Sequence, residues 1–106
     1  VQAELIVKRK GIPAAPLSLN KPRTIIGRDR DACDVVIDEE DTSRQHASIT
    51  KEQTGFYVLH DLGSTNGVTV GGRKVDRRTL IDGDVFAIGG TSFTFKVIPG
   101  PAADKK

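Results

Sequence analysis

Two adjacent-glycine pairs, Gly71-Gly72 and Gly89-Gly90, each separate a pair of short β-favouring runs. Val68–Val70 and Arg73–Val75 flank the first, and residues 85–88 and 92–97 flank the second. Glycine reaches positive φ without steric cost, which is what the central residues of a tight hairpin require. The same rhythm runs through the rest of the chain. Residues 3–8, 17–19, 24–26, 35–37, 48–51 and 56–60 read as strands, and residues 11–16 read as a turn. In the last run Phe93, Phe95 and Val97 alternate with Ser92, Thr94 and Lys96, which predicts three apolar side chains on one sheet face. No stretch carries a helical period. Many short strands spaced by turns in 106 residues predict an all-β fold, an antiparallel sandwich or barrel.

That length supplies a single core. Residues 1–98 are expected to form it, with residues 99–106 (PGPAADKK) a flexible linker poor in apolar side chains. A start at Val1 is what an excised domain of a longer parent would show. Sixteen Lys and Arg against 14 Asp and Glu leave a net charge of +2, too little for a nucleic-acid surface, so positive side chains must act locally. Cys33 is the only cysteine, which excludes an internal disulfide and a thiolate metal cluster and fits a reducing compartment. No metal or cofactor is expected. No apolar run approaches the roughly 20 residues of a membrane span, and no signal-peptide pattern opens the chain. The expected setting is cytoplasmic, or nuclear in a eukaryote, and not secreted.

Three polar clusters fall in predicted loops: Gly27-Arg28, Ser43-Arg44-Gln45-His46 and Gly63-Ser64-Thr65-Asn66-Gly67. Together they bring two guanidinium groups, three hydroxyls, two side-chain amides and loop N–H groups. Such donors suit a dianionic phosphate, and the planar fork of Arg takes two phosphate oxygens at once. Each motif alone is weak. The ordered set, with Asp34-Val35-Val36-Ile37 before the second and residues 80–88 (LIDGDVFAI) after the third, resembles the forkhead-associated (FHA) domain over roughly residues 3–98.

The resemblance implies a β-sandwich with its ligand loops clustered at one end, recognising phosphothreonine in a partner protein or in the parent chain, downstream of a Ser/Thr kinase. It implies that Arg28 grips the phosphate, that Ser43 donates to it, that Arg44 adds a second positive contact and that Thr65 completes the pocket. Asn66 would hold the backbone of the bound peptide, while Gly27, His46 and Gly67 support the loops. Thr42 departs from the family pattern, which has a small apolar residue there, a change expected to matter little.

Other readings compete at the same residues. Asn66-Gly67 is also a common hairpin turn, and Ser43 a common turn hydroxyl. Asp61 reads as a loop-bracing acceptor and His60 as an exposed strand-end residue. Ser43, His46 and Asp61 can be imagined as nucleophile, base and orienter, yet nothing resembles a nucleophile elbow, and no enzyme is expected. The chief rival is a structural interaction module that docks a partner without phosphate. Membrane and nucleic-acid partners are not expected.

Overall fold

A computed structural model of the chain describes residues 2–9, 11–40 and 42–98, with the side chains of Gln2 and Ile12 excepted. The linker expected at residues 99–106 lies outside the described residues. Among the described residues eleven strands follow one another: β1 (Gln2–Arg9), β2 (Ile12–Ser18), β3 (Arg23–Gly27), β4 (Val35–Val36), β5 (Ala47–Lys51), β6 (Tyr57–Asp61), β7 (Val68–Val70), β8 (Arg73–Val75), β9 (Arg77–Leu80), β10 (Val85–Ile88) and β11 (Thr91–Ile98). They form a six-stranded sheet ordered β2-β1-β11-β10-β7-β8 and a five-stranded sheet ordered β4-β3-β5-β6-β9. The all-β sandwich is therefore as expected, with one parallel pair, β3 with β4, in otherwise antiparallel sheets.

The core fills the space between the sheets. Leu5, Phe86, Phe93 and Phe95 meet Ile26, Ile49, Tyr57 and Leu59, all at most 3% exposed. Phe86 and Phe93 stack at 4.8 Å between ring centroids, and Tyr57 tilts against Phe95 at 5.4 Å. The period of two in β11 holds for Phe93 and Phe95 but not fully for Val97, which is 37% exposed. Val97 pairs with Ala3 near the end of its strand.

Two strands depart from the sequence reading. Residues 12–16, expected as a turn, belong to β2, whose Pro13 and Pro16 are tolerated because the strand lies at a sheet edge and need not donate on both sides. β9 was not foreseen, because Arg77, Arg78 and Thr79 leave only Leu80 to point into the core. The Gly71-Gly72 hairpin is as expected, with φ of 58° and 83° between β7 and β8.

Candidate functional site

Three inter-strand loops meet beside the buried imidazole of His46. The first leaves β3 at Gly27, which is buried because the chain after Ser43 passes directly over it. A Cβ at Gly27 would lie 2.2 Å from the Arg44 carbonyl oxygen, so only glycine permits that approach. The Arg28 N–H then donates to the Ser43 carbonyl at 3.1 Å, and the Asp29 N–H to the Arg44 carbonyl at 3.2 Å. Asp29 closes its own turn, its side chain accepting from the Asp31 N–H and its carbonyl from the Cys33 N–H, each at 3.0 Å. Asp34 completes the loop by accepting from the Ile25 N–H. Hydrogen bonding to the Lys21 ammonium, joined by the Ile25 N–H, holds the Asp34 carboxyl below the usual range.

Cys33 donates its thiol to the Arg44 carbonyl at 3.0 Å, and burial pushes that thiol up from its ordinary value. The thiol thereby braces the first loop against the second.

His46 ties the second loop to the third. Its Nδ1 accepts from the Ser43 N–H at 3.0 Å, so the ring proton sits on Nε2 and donates to the Gly67 carbonyl at 2.8 Å. The Ser43 hydroxyl oxygen accepts from the Thr65 N–H at 3.2 Å, which leaves the hydroxyl proton to be given elsewhere. The third loop is braced from within. Asp61 accepts from the Ser64 N–H at 2.8 Å, and the Ser64 hydroxyl accepts from the Gly67 N–H at 2.9 Å. Gly67 takes φ of 82°, a conformation that favours glycine.

Asn66-Gly67 is not a hairpin turn, since β6 and β7 belong to different sheets and the loop crosses between them. Nor do Ser43, His46 and Asp61 form a relay. Both ring nitrogens are engaged by backbone groups, and Asp61 faces Ser64. His60, expected to be exposed, is half-buried in β6 between Ser48 and Arg77.

The charged side chains lie outside this network. Arg28, Asp29, Arg30 and Arg44 line one open depression, with all three arginines exposed. Among the described residues, no carboxylate lies within ion-pair distance of their guanidinium groups. Arg30 was missed in the sequence because it belongs to no motif. Only its place two residues beyond Arg28, across a tight turn, marks it. Thr65 and Asn66 are exposed at the tip of the third loop.

Thr42, just before Ser43, is 2% exposed, and its hydroxyl has no hydrogen-bond partner among the described residues.

The model of the FHA domain family matches residues 24–89, which include most of β3 and all three loops. The chain belongs to the FHA domain family. This FHA domain is 36% identical over 102 residues to the glycogen accumulation regulator GarA of Mycolicibacterium smegmatis, the match covering 96% of the chain and 62% of GarA. An FHA domain solved for structural and functional analysis of phosphothreonine-dependent FHA interactions superposes with a TM-score of 0.82 at 28% identity, covering 93% of this chain and 99% of that one. EmbR of Mycobacterium tuberculosis, solved with a low-affinity phosphopeptide, gives a TM-score of 0.82 at 35% identity, over 94% of this chain and 25% of EmbR. The chain thus spans less than two thirds of GarA and a quarter of EmbR.

Proposed function

We propose that this FHA domain is a binding module for phosphothreonine in an extended segment of a partner protein or of its own parent chain, the segment being a product of a Ser/Thr kinase. One observation carries the reading. The guanidinium groups of Arg28 and Arg44, with no ion pair among the described residues, line one depression, and the hydroxyl oxygen of Ser43, next to Arg44, accepts from the Thr65 N–H, which leaves its proton to donate. In this reading Arg28 takes two phosphate oxygens through its fork, and Arg44 adds charge at the rim. The hydroxyls of Ser43 and Thr65 donate to the remaining oxygens, and Asn66 holds the peptide backbone. Gly27, His46 and Gly67 hold the three loops in register.

In this reading the domain binds its partner without catalysis, and the His46 imidazole serves to hold two loops together, both of its nitrogens engaged by backbone groups. A kinase product and an unpaired cysteine both fit a cytoplasmic setting.

Recognition of threonine, rather than of phosphate alone, has its own test. Three peptides that differ only in carrying phosphothreonine, phosphoserine or phosphotyrosine are competed for the site. Phosphothreonine should exceed phosphoserine by roughly tenfold or more, the worth of one methyl in a fitted pocket, because the phosphate contacts are common to both. The methyl also stiffens χ1 of the bound residue and so lowers the entropy lost on binding. Phosphotyrosine should bind poorly, its ring holding the phosphate away from the loops. Equal affinity for phosphoserine and phosphothreonine would remove the methyl from the account.

A further inference from the structure

Lys74 lies outside the three motifs, yet it sits on the third loop. It occupies β8, an edge strand of the six-stranded sheet, opposite Thr69 of β7. Its stem crosses the face of Gly67. A Cβ at Gly67 would stand 3.2 Å from the Lys74 Cδ and 3.3 Å from its Cε. The ammonium is one bond beyond that carbon, and the side chain is exposed. Among the described residues, no carboxylate lies within ion-pair distance of it.

The placement is two-fold in effect. The aliphatic stem covers the α-carbon of the residue whose carbonyl accepts from His46. The charge stands beside Gly67, the residue next in sequence to the Asn66 tip. A cation with no ion-pair partner among the described residues, held by its stem against a binding loop, attracts an anionic group on whatever lies along that loop.

We propose that Lys74 is a specificity-determining residue that selects an acidic side chain, Asp or Glu, near the phosphothreonine of the bound segment. This rests on the phosphopeptide reading and goes beyond it, because Lys74 takes no part in gripping the phosphate. Rim charges act through water and are worth little each, so the effect is a preference and not a requirement.

The test scans Asp, Ala and Lys through the three positions on either side of phosphothreonine in one alanine-rich peptide. Each peptide is titrated against the wild-type domain, Lys74→Met and Lys74→Glu. Methionine keeps a stem of similar length and removes the charge, which separates packing on Gly67 from electrostatics. At one position or at adjoining ones, the wild type should prefer Asp over Ala by roughly two- to fivefold. At the same position Lys74→Met should show no preference, and Lys74→Glu should favour Lys. An Asp preference that is absent from the wild type, or unchanged in both variants, overturns the proposal while leaving phosphate recognition intact. If the all-Ala phosphopeptide binds no better than its unphosphorylated form, the phosphopeptide reading falls and the role of Lys74 falls with it.

Discussion

Arg28→Ala is expected to weaken phosphopeptide binding by roughly thirtyfold or more and to leave the fold unchanged. Truncating one partner of a hydrogen-bonded charge pair costs about 2–5 kcal/mol, and each 1.4 kcal/mol is tenfold in affinity. No internal ion pair of Arg28 is lost, because none is present among the described residues. The structural contribution of the residue is its N–H to the Ser43 carbonyl, which alanine keeps. Isothermal titration with one phosphothreonine peptide, beside a thermal melt of each protein, separates the two effects. A variant that binds as tightly as the wild type would remove Arg28 from the site. Arg30 and Arg44 would then be the guanidinium groups to test.

His46→Ala should do the opposite, striking the fold first. The imidazole is fully buried, and its loss strands the Ser43 N–H and the Gly67 carbonyl together. Each stranded buried group costs about 1–3 kcal/mol, so the pair costs about 2–6 kcal/mol before any cavity is counted. A domain of this size holds only about 5–15 kcal/mol in total, and each kcal/mol moves its melting temperature by about 4–8 °C. The melting temperature should therefore fall by about 8 °C or more. Binding should weaken at temperatures where the variant is still folded, because Ser43 and Thr65 are no longer held in register. A melt within two or three degrees of the wild type would show that water or a neighbouring group replaces the imidazole, and that His46 is not the tie between the loops.

The loops were more legible in the sequence than the sheets that carry them. Gly27-Arg28, Ser43–His46 and Ser64–Gly67 stand out because turn chemistry and phosphate chemistry demand particular residue types at particular places. The structure joins all three clusters, the second to the third through the His46 imidazole and to the first through the Arg28 N–H on the Ser43 carbonyl. The reason for Gly27 was less visible, since its constraint is the passage of Arg44 overhead, a contact between loops and not a local turn. The first part of β2 and all of β9 were illegible for physical reasons. Prolines disguise an edge strand, and a strand with one buried side chain carries no alternation to read. Arg30 and Lys74 could not be read as parts of the site, because nothing in their own neighbourhood fixes where the chain folds back. Arg30 reaches the site through the Asp29 turn, and Lys74 through the β7–β8 hairpin.

The central claim is that phosphate on threonine is what this domain reads. Two peptides of one sequence, with and without phosphate on a single threonine, titrated against the domain at pH 7 and pH 5, test it most directly. The second phosphate pKa is about 6, so the dianion prevails at the higher pH and fades at the lower. The account predicts that only the phosphorylated peptide binds well, and that its affinity falls towards pH 5 while the control stays weak and flat. Equal binding of both peptides at both pH values would contradict it and would leave a sandwich that docks its partner without phosphate.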